Sequence, residues 1–440
     1  MAQTYDKITA SSTEFCVKKA LAIYQKTFGI SKTYQPNDLV CAQAPGRVNI
    51  IGGHTDYCGG FVLPLALELK TYCIGTFNNT NTVNIVSANI DKKFNKFSFN
   101  LKSGNDENNN SIEKVDNSGP YKWANYVLGV IAHFHDQEAL AGNKGLAGFN
   151  LAIHSEVPLG GGLSSSASIE VSVYTFLEEL FNSKTSKVQK ALNCQKAEHN
   201  YPGLPCGIMD QYISANAEKG KVTLIDCETL ENSCHIDMGS SNKAGTANAN
   251  NAVFLITNTN VKHELTGTEY PERKFACEKA AKICGKPNLR QTTLADLLRN
   301  KDLLDETTLK RAEHVIQECS RTKQAAVALK NVDFSTLGQL MLQSHDSLSH
   351  KYNVSCPEQD KLIEIAKTCQ KSGIDGGCFG GRMTGGGFGG CTIMLVEKEK
   401  VERVIERLDK EYFEEFGKRA TFYITEPGEG AGPVDLGQFV

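Results

Sequence analysis

Apolar residues along the chain switch between two spacings, and the switches outline its elements. Val17, Leu21, Tyr24 and Phe28 recur at three- and four-residue steps behind the capping-box signature Ser11-Ser12-Thr13-Glu14, and Gly29 supplies a stop. This predicts a first helix. From about 39 to 101 the apolar runs shorten or alternate (LVCAQA, FVLPLAL, TYCIGTF, VNIVSA, FSFNL) and read as strands. The polar tract 103–119 has too few apolar side chains to pack and reads as a surface loop. AGFNLAIHSEVP, residues 147–158, alternates like a strand. Ile169, Val173, Phe176 and Leu180 then fall on one helical face. Past 220, KVTLID and AVFLITNT are strands split by the polar insertion GSSNKAGTANANN. A long helical stretch covers about 271 to 370, followed by the strand CTIMLV, the helix VERVIERLDKEYFEEF and a last strand, TFYIT. The closing EPGEGAGPVDLGQFV is rich in Gly and Pro and has little to bury.

This mixture predicts an α/β (α+β) protein. At 440 residues, the simplest division is two lobes, 1–215 and 216–440. Charge narrows the function classes. There are 47 Lys and Arg against 50 Asp and Glu, a net −3, far from the basic excess of a protein held on nucleic acid or anionic lipid. No apolar run approaches the roughly 18 residues of a membrane span. Asp6, Lys7 and Glu14 interrupt what a secretory signal needs to be apolar. Fifteen cysteines scattered over a long chain form no compact disulfide framework, so reduced thiols in the cytoplasm are expected.

Three loops carry candidate chemistry. PLGGGLSSSAS, Pro158 to Ser168, joins a strand to a helix. Gly160, Gly161 and Gly162 let a ligand approach the backbone, and after Leu163 the run Ser164, Ser165, Ser166 opens a helix whose first N–H groups favour an anion. A phosphate cradle is the functional reading; a flexible turn is the plain one. No G-K-S/T follows, so it is not a Walker A loop. GGRMTGGGFGG, Gly380 to Gly390, contains a G-x-G-x-x-G spacing but leads into a strand near the end of the chain, which a dinucleotide-binding fold does not allow. Close backbone packing on a neighbouring loop or ligand is the better reading. APGRVNIIGGHTDYCGG, Ala44 to Gly60, groups Arg47, His54 and Asp56 between glycines, either as a site for a hydroxylated or anionic ligand or as a surface loop. A metal on His54 and Asp56 lacks a third ligand nearby.

Together and in this order, the three segments resemble the signature motifs of the GHMP small-molecule kinases, and GRVNIIGGHTDY is similar to the galactokinase signature. The resemblance extends through KAEHNYPGLPCGIMDQY, TEYPERK and SCPEQDKL and covers nearly the whole chain. It implies a two-lobed fold with mixed sheets and packed helices, binding ATP and a sugar between the lobes. It implies transfer of the γ-phosphoryl of Mg-ATP to the C1 hydroxyl of galactose by a cytoplasmic monomer with no nucleic-acid or membrane partner. On the matching positions, Asp210 corresponds to the catalytic aspartate and Arg47 to the arginine facing it. Gly160 to Ser166 form the phosphate loop, and Ser166 and Glu198 match the Mg2+ positions. Trp123 and Tyr126 match the segment beside adenine, and His54, Asp56, Gly207 and Tyr270 match sugar contacts. Phosphoryl transfer depends on positioning and charge, which a carboxylate taking the hydroxyl proton and an adjacent guanidinium can supply.

One departure bears on the sugar. The family reads G-E-H-x-D-Y where this chain reads Gly52-Gly53-His54-Thr55-Asp56-Tyr57, so a sugar-contacting carboxylate is missing at Gly53. A charge-assisted hydrogen bond is worth about 1.5–3 kcal/mol. Its loss leaves a related sugar kinase, for instance one acting on N-acetylgalactosamine, or a non-catalytic galactose- and ATP-binding sensor as alternatives. Ser166-Ala167 in the phosphate loop favours catalysis. Gly381, where the family commonly has Ser or Ala, is expected to matter little.

Overall fold

A computed structural model of the chain describes residues 5–29, 39–101, 112–140, 146–238, 251–262, 269–370 and 376–439. In chain order the first half forms β1 (Asp6–Ile8), α1 (Thr13–Phe28), β2 (Val40–Asn49), β3 (Phe61–Val62), β4 (Pro64–Phe77), β5 (Thr82–Ser87), β6 (Lys96–Asn100), α2 (Ala124–Leu140), β7 (Phe149–Ser155), α3 (Ser165–Phe181), α4 (Lys187–Asn200) and α5 (Met209–Asn216). β8 (Lys221–Asp226), β9 (Cys234–Asp237), β10 (Ala252–Lys262), α6 (Glu269–Ile283), α7 (Leu294–Arg299), α8 (Glu306–Lys330) and α9 (Phe334–Ser347) follow. The chain ends with α10 (Pro357–Thr368), β11 (Cys378–Met383), β12 (Gly389–Glu397), α11 (Val401–Phe416), β13 (Thr421–Thr425) and β14 (Gly432–Pro433).

Two mixed sheets organise these elements. The first runs β14-β2-β4-β7-β5-β6, with β5 and β7 parallel and its other pairs antiparallel. Helices α2 to α5 bury Val127, Ile131, Val171, Phe176, Ala191 and Ile213 against one face. α1 covers the other with Val17, Ala20 and Tyr24. The second sheet runs β1-β13-β10-β12-β11. Strand alternation divides its side chains cleanly: Ile393 and Leu395 face α8 and α9, and Met394 and Val396 face α10 and α11. The core under α8 and α9 also takes in Val48, Ile50, Leu63, Leu65 and Leu163 from the first half, so the two sheets share apolar packing at the seam. β3, β8 and β9 make a small third sheet.

Several local expectations change. α1 is capped by Ser12 Oγ, which accepts from Phe15 N, and Glu14 pairs with Lys18 instead of closing a box; Ser11 N donates to Glu156. TYCIGTF is the end of the single 14-residue strand β4, which stays extended through the slip in its pairing with β2 and pairs with β7 from Thr71 to Phe77. The tail is sewn into the first lobe. Gly428 N donates to Ala66 O, Gly430 N to Ala217 O and Ala431 N to Ser214 O, while Lys70 Nζ reaches Glu429 at 2.7 Å. Gly381 is not in open space: a Cβ there would lie 2.8 Å from Met394 Cγ and 2.9 Å from Ile393 O, so any side chain forces a shift. Residues 102–111 and the insertion at 239–250 lie outside the described residues.

Candidate active site

The site begins where β2 loses its regular register. Between Pro45 and Arg47 the pairing with β4 slips, and a Cβ on Gly46 would sit 2.6 Å from Leu163 O. Bulges of this kind re-aim side chains. Arg47, only 5% exposed, turns its guanidinium toward α5. Its Nε donates to Asp210 Oδ1 at 2.7 Å and its Nη2 to Asp210 Oδ2 at 2.8 Å, while Nη1 donates to Gly162 O at 2.8 Å. Its own N–H donates to Leu163 O at 3.1 Å. One arginine thus fixes the carboxylate and the glycine loop to each other, using the planar fork that lysine lacks. Asp210 sits in the first turn of α5.

The glycine–serine loop leads into α3. Gly160 and Gly162 have φ of 71° and 74°, and Ser164 is left-handed at φ 57°. Ser164 stands at the N-cap position yet makes no cap; its Oγ donates to Asp210 Oδ2 at 2.5 Å. The first N–H groups of α3, from Ser165 onward, therefore have no capping side chain and face the positive end of the helix dipole. The second glycine cluster packs on this loop. A Cβ on Gly385 would lie 3.0 Å from Gly162 O, one on Gly390 would lie 3.3 Å from Gly161 O, and Cys391 Sγ reaches Gly161 O at 2.9 Å. Close packing on a neighbouring loop, not dinucleotide binding, is what those glycines provide.

The sugar-signature loop closes the other side. His54 is left-handed at φ 62°, with Nδ1 2.9 Å from Tyr57 Oη, which in turn lies 2.7 Å from Tyr352 Oη. Tyr270 joins this group, its ring centroid 5.0 Å from that of Tyr57 and 5.9 Å from that of His54. Burial, with the His314, Arg273 and Arg382 charges, drives the His54 imidazolium down to about 3, so the ring is neutral at physiological pH. Asp56 packs against Gly207: a Cβ there would be 1.9 Å from Asp56 Oδ2, which only glycine avoids. Burial, then the neighbouring Asp210 charge, raises the Asp56 carboxyl to about 6.

A second group of acids lies behind Asp210. Glu198, on α4, is buried and accepts from Gln211 Nε2 at 2.5 Å; the same nitrogen donates to Glu170 Oε2 at 3.0 Å. Burial and Asp210 lift Glu198 to about 7, with bonds from Cys206, Ser166 and Gln211 opposing the rise. Glu170 is raised for the same reason, and its Oε1 has no protein partner. Ser166 and Glu198 lie within hydrogen-bond reach of each other. Glu170 and Gln211 went unnoticed in the sequence, where nothing but the adjacency of Gln211 to Asp210 hints at them. Tyr126, early in α2, is pushed above its ordinary range by burial and by Glu198 and Glu170, which puts it beside this group. Trp123 donates its indole N–H to Phe94 O at 2.9 Å and packs on the core of that lobe, contacts that are structural.

Known proteins resemble this chain in sequence and fold. The family model for the galactokinase galactose-binding signature matches residues 23–77, that for GHMP kinase N-terminal domains matches 125–218, and that for GHMP kinase C-terminal domains matches 325–415. The galactokinase of Bos taurus is 41% identical over 89% of this chain and 91% of its own length, and that of Homo sapiens is 41% identical over the same shares. Among solved structures, Lactococcus lactis galactokinase complexed with galactose superposes with a TM-score of 0.82 at 32% identity, covering 95% of this chain and all of its own. Methanococcus jannaschii mevalonate kinase, at 19% identity and TM-score 0.58 over 88% of this chain, shares the fold. With 41% identity over most of its length to these galactokinases, the chain belongs to the galactokinase family of GHMP kinases.

Proposed function

We propose that the chain transfers the γ-phosphoryl of ATP to the C1 hydroxyl of galactose, with Asp210 receiving the hydroxyl proton. The observation that carries this reading is the bidentate Arg47–Asp210 pair at the mouth of the glycine–serine loop. A carboxylate has about four acceptor positions. Arg47 takes two and Ser164 a third, leaving one for an incoming hydroxyl. The same Arg47 reaches Gly162 O, so a phosphoryl group resting on the loop lies near the guanidinium, which offsets charge developing on its oxygens. Asp56 and His54 offer an acceptor and a neutral ring to sugar hydroxyls, and Tyr270 and Tyr57 give an apolar wall. The galactokinase relatives favour galactose over N-acetylgalactosamine or a sensor role.

The acid group fits a divalent cation. Glu198 and Glu170 are buried with more negative charge than the neighbouring donors neutralise, and Glu170 Oε1 is orphaned. Mg2+ commonly takes one or two protein ligands and leaves the rest to phosphate and water, which suits Ser166 and Glu198. Among the described residues no group of three or more His, Cys, Asp or Glu side chains surrounds one point, in keeping with that sparse set. Ser166 and Glu198 would hold the cation, which would supply positive charge to offset that of the terminal phosphates. All fifteen cysteines are unpaired, which supports the cytoplasm, and no helix among the described residues is long and apolar enough to cross a membrane.

The test is ATP consumption against a sugar panel. Galactose is expected to be turned over, and Asp210→Asn, which keeps the shape but removes the proton acceptor, is expected to lower kcat by about 100-fold or more. Full activity in Asp210→Asn, or no response to galactose, overturns the reading.

A further inference from the structure

Gly53 leaves the sugar loop without a side chain at the position where the signature has a carboxylate. The place is not empty: a Cβ there would fall 2.4 Å from Arg382 Nη2 and 3.2 Å from Leu348 Cδ1. Arg382 is fully buried, donates from Nη1 to Asn49 O at 2.9 Å, and keeps Nε and Nη2 without protein partners. The loop's main chain, in contrast, is held at Gly52 N, Gly53 N and Gly53 O. Glu318 Oε1 accepts from Gly52 N at 3.0 Å and Gly53 N at 3.2 Å, and His314 Nε2 lies 3.0 Å from Gly53 O. His314 and Glu318 are four residues apart on α8 and so share one face, and both are fully buried.

Each of the two is braced from α9. Ser344 Oγ donates to Glu318 Oε1 at 2.5 Å, and Ser347 Oγ lies 2.8 Å from His314 Nδ1. Arg321 Nε completes the Glu318 shell at 2.7 Å. Because a carbonyl only accepts, His314 carries its proton on Nε2, and its Nδ1 accepts a hydrogen bond from the Ser347 hydroxyl. The next residue along the loop is His54, held in the left-handed region that a side chain adopts only when its surroundings fix it.

We propose that Glu318 and His314 are positioning residues for galactose: by clamping the backbone of Gly52 and Gly53 from α8, they set His54 and Asp56 in place of the side chain that position 53 lacks. This rests on the galactose reading above, and it assigns a role in sugar recognition to two residues on a helix that carries no signature motif. Neither touches the sugar or the phosphoryl group. Loosening the clamp therefore acts on sugar binding and leaves nucleotide binding and the chemical step nearly alone.

The experiment compares the purified full chain with Glu318→Gln, His314→Phe and His314→Gln. It measures steady-state KM for galactose and for ATP, kcat, galactose Kd by calorimetry and the melting temperature. Glu318→Gln is expected to raise galactose KM and Kd about tenfold or more, with kcat and ATP KM within about twofold. His314→Phe removes the donor to Gly53 O and is expected to do the same, while His314→Gln, which retains an N–H, recovers most of the affinity. If Glu318→Gln fails to fold, the histidine pair decides. Equal galactose affinity in the Phe and Gln variants and the wild type, or losses shared equally by galactose and ATP, overturns the proposal. A wild-type chain that binds galactose without turnover sinks the functional reading but leaves the clamp testable through Kd.

Discussion

At the scale of single residues, the site separates its carboxylates by environment. Asp210 is paired with a guanidinium, whereas Asp56, a half-buried neighbour of the same charge, is pushed up to about 6. The sign follows from the shift: a carboxyl raised to about 6 is ionised above that pH and protonated below it, losing its charge and one acceptor as the pH falls. Galactose KM measured at saturating Mg-ATP is expected to be flat above pH 7.5 and to climb as pH drops through about 6. In Asp56→Asn the climb disappears on a raised baseline. An unchanged pH profile in Asp56→Asn would show that another group titrates. Arg47, His54 and Asp56 were readable as a cluster because ten residues hold all three; Asp210, one acid among 50, became visible only through the motif around it.

At the scale of elements, close backbone approach decides which glycines matter. Gly338 on α9 and Gly380 on β11 face each other: a Cβ on Gly338 would lie 2.0 Å from Phe379 O, and one on Gly380 would lie 2.1 Å from Gly338 O. Helix and strand meet with no side chain between them, and the next residues of β11 lead to Arg382 and the glycine cluster that packs on the glycine–serine loop. Gly338→Ala is expected to destabilise the chain by about 2–3 kcal/mol through overpacking, read as a lower melting temperature. No change in melting would mean that α9 can slide. The helix and strand runs themselves were legible from spacing. Less legible were joints such as the continuous β4, or Ser164 at a helix start, whose hydroxyl serves Asp210 and not the helix end.

At the scale of the whole molecule, the chain's ends cross over. β1 pairs with β13 in the sheet otherwise built from residues after 250, and β14 pairs with β2 in the sheet that presents Arg47. The segment before β14 also bonds Ser214 O and Ala217 O at the end of α5, the helix whose first turn carries Asp210. A chain truncated after Glu426 loses these bonds and leaves the nearly buried Lys70 without Glu429. It is expected to melt lower and to lose kcat more than a surface deletion would, as measured by thermal unfolding and by turnover at saturating substrates. Wild-type melting and kcat would show the tail to be dispensable.

Composition, periodicity and loop chemistry were enough to set out a chain of mixed strands and helices, a glycine–serine turn between a strand and a helix and a polar loop around Arg47, because those depend on short-range spacing and on the properties of each residue type. What joined them was long-range. Arg47 meets Asp210 across 163 residues, and Gly53 meets Glu318 across 265. Contacts at such separations have no local spacing to announce them, since they exist only when apolar packing at the seam of the two sheets brings β2, α5 and α8 to one point.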